Sequence, residues 1–86
     1  MANPSWYVIQ HPFTRPEVSN PYPSSSFALD AADKIHGQRL RRVRIADNEV
    51  WIGGIIVCSR KKAMAYNFKI KDWEGRYYEQ RTNLGS

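Results

Sequence analysis

The sequence predicts an α+β domain: a mostly antiparallel sheet of four or five strands, with one short helix packed on one of its faces. Three observations predict it. A chain of 86 residues makes one domain with one modest core, burying roughly 60–65 % of the surface its unfolded form exposes. Apolar residues alternate with a period of two in several stretches of the C-terminal half, as in half-buried strands. One stretch, 27–36, carries the three-and-four spacing of a helix and is followed by Gly37. The predicted order is β–loop–α–β–β–β–β over a single domain, 1–86.

The first strand is Trp6-Tyr7-Val8-Ile9, aromatic and β-branched. Pro12, Pro16, Pro21 and Pro23 follow, with Asn20 and three serines. Four prolines so close together fit neither a helix nor a central strand, so 12–26 is predicted to be an extended loop or arm. Phe13 and Tyr22 are expected to pack it on the sheet. The serines at 24–26 offer N-caps for the helix, whose hydroxyl would accept a free amide of the first turn. Phe27, Ala31 and Ile35 make its predicted apolar stripe, widened by Ala28 and Ala32. Gly37 suits a left-handed cap at its end.

Beyond Gly37, Val43 and Ile45 alternate with Arg42 and Arg44, and Asp47-Asn48 marks a turn. The apolar run 50–58 reads as one strand, bent or bulged at Gly53-Gly54. Ser59-Arg60-Lys61-Lys62 is predicted to be a basic hairpin connection. In 65–71, Tyr66, Phe68 and Ile70 alternate with Asn67, Lys69 and Lys71, giving another strand. Asp72-Trp73-Glu74-Gly75 is a hairpin turn leading to a last strand over 76–80, with a flexible tail at 82–86. Short turns between successive strands favour a meander. The alternative architecture is a small barrel curling at Gly53-Gly54; the stretch 43–78 resembles SH3-like barrels in its strand lengths and turn placement, and no residue role follows from that likeness.

Several function classes are disfavoured. Cys58 is the single cysteine, which excludes an intramolecular disulfide and a cysteine-built zinc site. It lies in an apolar run, where an inert buried thiol is expected. The N-terminal residues lack the basic and apolar regions of a secretory signal. No apolar run approaches the ~20 residues of a spanning helix. The expectation is a cytoplasmic protein with no membrane partner. His36, at the helix end, is read as structural and favoured there by the helix dipole. A Cys58–His36 dyad has no third orienting residue. The carboxylates Asp47, Glu49, Asp72 and Glu74 are assigned to turns. No catalytic residue, metal site or cofactor is predicted, and the chain is read as a non-enzyme.

Charge is the most informative feature. The net charge is +5, but it is unevenly spread. Nine of the thirteen Lys and Arg lie in 39–71, with only two of the eight acids. The candidate binding surface comprises Arg39, Arg41, Arg42, Arg44, Arg60, Lys61, Lys62, Lys69, Lys71 and Arg76. Arg42, Arg44, Lys69 and Lys71 are expected on the sheet face away from the helix, where they would track a phosphate backbone. Trp73, Tyr77 and Tyr78 are candidate aromatic contacts, for stacking on bases or anchoring a protein. The leading expectation is a nucleic-acid-binding or nucleic-acid-associated protein, DNA or RNA. The alternative is a protein–protein module or inhibitor docking on an acidic surface, of the kind that phages and plasmids encode. An unpaired edge beside a Pro-rich arm also allows a homodimer by strand addition.

Overall fold

The structure, a computed structural model, describes residues 5–77. It is an α+β domain built on one five-stranded antiparallel sheet. The elements run β1 (Trp6–Gln10), β2 (Glu17–Val18), α1 (Ser25–His36), β3 (Arg42–Ala46), β4 (Glu49–Ile52), β5 (Ile55–Ser59) and α2 (Arg60–Ala65). Across the sheet the order is β2-β1-β5-β4-β3. The sheet is open, with β2 and β3 at its margins, so the barrel alternative does not form.

Both faces are covered, and this corrects the expectation of one covered face. On the first, Val8, Val50, Ile52, Ile55 and Val57 pack against Ala28 and Ala32 of α1. On the second, Tyr7, Ile9, Ile56 and Cys58 pack against Ala63 of α2 and against Phe68 and Ile70 beyond it. Four consecutive residues of β5 are therefore buried. A strand covered on both sides reads as a continuous apolar run rather than an alternating one.

That run also hid a turn. Residues 50–58 are two strands, not one: β4 and β5 form a hairpin with Ile52 opposite Ile55. Gly53 and Gly54 have φ of 53° and 86°. Positive φ at both central residues is what a two-residue hairpin loop with right-handed twist requires.

Three other assignments change. The predicted basic hairpin at 59–62 is the start of α2. Ser59 caps it, its Oγ accepting from the Lys62 amide at 3.4 Å and from Asn48 Nδ2 at 3.0 Å. Arg, Lys, Ala and Met are good helix formers, and Ala63 gives the turn a buried contact. The predicted strand 65–71 consequently does not form: α2 runs to Ala65, a turn follows, and only Lys71 makes a single bridge, to Tyr77. Asn67 takes φ of 65° to leave the helix, and the alternation survives only as buried Phe68 and Ile70. The Pro-rich segment is an edge rather than a loop throughout. Val18 pairs with Ile9 and Glu17 with Gln10, and Tyr22 bridges Trp6. Tyr22 packs on the α1 side of the sheet, but Phe13 is 70 % exposed.

Helix α1 ends at His36 as predicted but starts two residues earlier, at Ser25, and is turned. Ala28 and Ala32 form its buried line, while Phe27 and Ile35 are exposed. One residue is ~100° around a helix. Small side chains let α1 sit close to the valines of the sheet, which larger ones at those positions would not. Gly37 caps the helix at φ 73°, and the Gly37 and Gln38 amides donate to Lys34 and Asp33 carbonyls. At the other end, Ser24 makes no side-chain capping bond, and its Oγ meets Ser26 Oγ instead. The turn at 72–75 forms as predicted, with the Gly75 amide donating to the Asp72 carbonyl at 3.0 Å. Lys71 and Tyr77 pair across it. The rest of the last predicted strand and the tail at 82–86 lie outside the described residues.

Candidate interaction surface

The ten candidate cations do not share one face. In an antiparallel pair, opposed residues project to the same side. Arg42 stands opposite Ile52 and Arg44 opposite Val50, both of which face α1. The two arginines are thus on the helix side, which reverses the expectation. Arg42 Nη2 is bound to Asp33 Oδ2 of α1 at 2.8 Å. Lys69 and Lys71 belong to the segment packed on the opposite face, near Val18 of β2. At ~4.8 Å per strand, the β2 and β3 margins are about 19 Å apart. The basic set is therefore divided between two margins and two faces.

Some of these charges are already matched. Arg76 pairs with Asp72 at 3.4 Å and with Glu74. Lys62 Nζ lies 3.9 Å from Glu49 Oε1. Arg60, at the start of α2, donates its amide to the Ser5 carbonyl, and Lys61 beside it is exposed. Arg39, Arg41 and Arg44 are exposed around β3 and have no carboxylate partner among the described residues.

The second side of β3 is apolar. Val43 stands opposite Trp51, whose neighbour is Ile56. Val43 is 47 % and Ile45 51 % exposed. The Phe13 ring lies on Trp51 with centroids 5.5 Å apart. Sequence reasoning missed this strip because it set Arg42 and Arg44 on the face away from the helix, which turns Val43 toward the helix; the clue was that a strand carrying two arginines on one side makes a poor central strand.

Glu49, predicted to sit in a turn, is 1 % exposed. It accepts from Trp51 Nε1 at 2.6 Å and from the Tyr66 hydroxyl. Those bonds fix the indole that supports Val43. The hydrogen bond to Glu49 pushes the Tyr66 phenol up to about 12, with burial and the carboxylate charge adding to it. Cys58 is fully buried beside this group. Burial first, then the Glu49 charge, raises its thiol to about 12, with Lys62 opposing. A neutral thiol results. His36 lies on the α1 side, where its Nε2 bonds the Ile52 carbonyl at 2.8 Å. Cys58 points to the other face, so the two do not form a dyad.

The aromatic candidates separate likewise. Tyr77 is 54 % exposed, with Lys69 Nζ 4.9 Å and Lys71 Nζ 5.3 Å from its ring centroid. The Tyr7 hydroxyl holds this segment by donating to the Lys71 carbonyl. Trp73 is exposed at its hairpin tip, beside Asn20 and Pro21. Tyr78 lies outside the described residues. Among the described residues no group of three or more His, Cys, Asp or Glu is placed to hold a metal ion. None of the helices there is long and apolar enough to cross a membrane. No protein-family model, curated protein or solved structure matches this chain.

Proposed function

We propose that this chain is a small, non-catalytic binding protein that docks an acidic protein surface at the β3 margin. One observation carries the reading: Arg39, Arg41 and Arg44 stand exposed, with no carboxylate partner among the described residues, beside an apolar strip. A protein surface offers both acids and apolar groups, whereas a phosphate backbone uses only the charges. The division of the remaining cations between two margins also removes the continuous basic track that a duplex would follow.

A labelled poly-glutamate peptide tests this by fluorescence anisotropy. Binding is expected at ~50 mM salt and should weaken as salt rises. The combined substitution Arg39→Glu, Arg41→Glu, Arg44→Glu should reduce it at least tenfold. Binding unchanged by that variant would sink the proposal.

A second reading, single-stranded nucleic-acid binding, is supported by Tyr77 between Lys69 and Lys71, since an exposed ring flanked by cations can stack a base. A mobility-shift titration with a single-stranded oligonucleotide at two salt concentrations separates the two. Tight binding lost on Tyr77→Ala would favour the nucleic-acid reading.

A further inference from the structure

We infer that β3 takes up an extended segment of an acidic protein partner as a sixth strand, with acids alternating with apolar residues along that segment. The inference rests on the acidic-partner reading above and adds the mode of docking.

The two margins of the sheet differ. β2 is two residues long, with Pro16 before it and Pro21 and Pro23 after it. Proline has no amide hydrogen to offer, so that margin is closed to a further strand. β3 is five residues long, contains no proline, and among the described residues pairs only with β4. Its outer backbone groups are a template for main-chain hydrogen bonds.

The side chains define the occupant. On the α1 side β3 presents Arg44, next to Arg42, which Asp33 already holds, and exposed Arg39 and Arg41 precede the strand. On the other side stands Val43, backed by Trp51 and Phe13, and Ala46 opposite Glu49 shares that side; exposed Ile45 lies between Arg44 and Ala46, where the register with β4 shifts. An added strand projects successive side chains to opposite faces. One that alternates acid with apolar residues satisfies both sides at once. A second copy of this chain does not. Self-pairing through β3 would place arginines against arginines on the same face, and like charges directly opposed are destabilising.

The test uses the full chain and two synthetic peptides of about seven residues, one alternating Glu with Val and one with the same composition in two blocks. Binding is read by titration, and the site by amide hydrogen exchange. The alternating peptide should bind at least tenfold tighter than the blocked one and should protect β3 amides. Val43→Lys with Ile45→Lys should weaken it at least tenfold although the variant is more basic. Val43→Thr with Ile45→Thr, which keeps strand propensity, should weaken it about threefold. If both peptides bind alike, and the lysine variant binds as well or better, the charge reading stands and strand addition is overturned. If neither peptide binds at ~1 mM, both are overturned, with oligonucleotide binding then pointing to nucleic acid. Concentration-dependent protection of β3 without peptide would overturn the inference in favour of a second copy.

Discussion

The Trp51 indole donates to the carboxylate of Glu49 across 2.6 Å, two residues away along the same strand. Glu49 is almost wholly buried, so its bonds to Trp51 and Tyr66 and its proximity to Lys62 compensate for taking the carboxylate out of water. Glu49→Ala leaves the half-buried Trp51 indole and the Tyr66 hydroxyl without their acceptor. It should destabilise the protein by about 3 kcal/mol, lowering Tm by about 12–24 °C. Glu49→Gln retains an acceptor oxygen and should be about half as damaging. Thermal unfolding followed by tryptophan fluorescence measures both. Equal loss for the two variants would show that charge, not hydrogen bonding, matters here.

The protein should weaken in alkali. Cys58 and Tyr66 both have protonated forms favoured by the fold, being raised from 9.0 and 10.0 to about 12. Below the unfolded values the fold holds these protons at no disadvantage. As pH rises from about 9 to about 12 the unfolded chain releases them first, so stability falls over that window. Urea midpoints at pH 8 and above should show the decline. Cys58→Ala should flatten its lower part and Tyr66→Phe its upper part. A flat profile for the unmodified protein would contradict the assignment.

The two turn glycines should respond differently to alanine. A Cβ on Gly53 would lie 2.7 Å from Leu40 Cδ1 and 2.9 Å from His36 Nε2, at a φ of 53°. His36 would have to leave its bond to the Ile52 carbonyl. Gly54 has a comparable φ of 86° but open space around it. We expect about 3 kcal/mol for Gly53→Ala, combining backbone strain with crowding. Gly54→Ala should cost about 1 kcal/mol from backbone strain alone. Denaturant titration of the pair gives the difference directly.

Helix α2 hangs on its cap. Ser59 Oγ accepts from the Lys62 amide and from Asn48 Nδ2. Ser59→Ala should remove about 1 kcal/mol, with amides of α2 exchanging faster while those of β1 are little changed. Uniformly faster exchange would mean the cap supports the whole fold rather than the helix.

Much of this fold was legible in the chain. The first strand, the helix closed by Gly37, the Asp47-Asn48 turn and the 72–75 turn follow from local chemistry that tertiary contacts do not override. The Gly53-Gly54 turn was visible too, but the apolar residues on both sides looked like one strand because β5 is buried on both faces. Helix α2 was obscured by its three cations, which suggest a solvent loop although each favours a helix. The site was harder. Alternation shows that Arg42 and Arg44 share a side and that Val43 lies on the other. It does not show which side α1 takes, because that depends on packing against residues far along the chain. Glu49 was illegible for the same reason: its partner Tyr66 arrives from beyond α2.

The proline-bounded β2 margin has a consequence for assembly. Growth of a β-structure from molecule to molecule needs a donor and an acceptor margin on every subunit, as in cross-β fibrils. Among the described residues the chain has one usable sheet margin. Whatever strand it takes up, it stands at the end of the resulting sheet, as a terminal subunit and never an interior one.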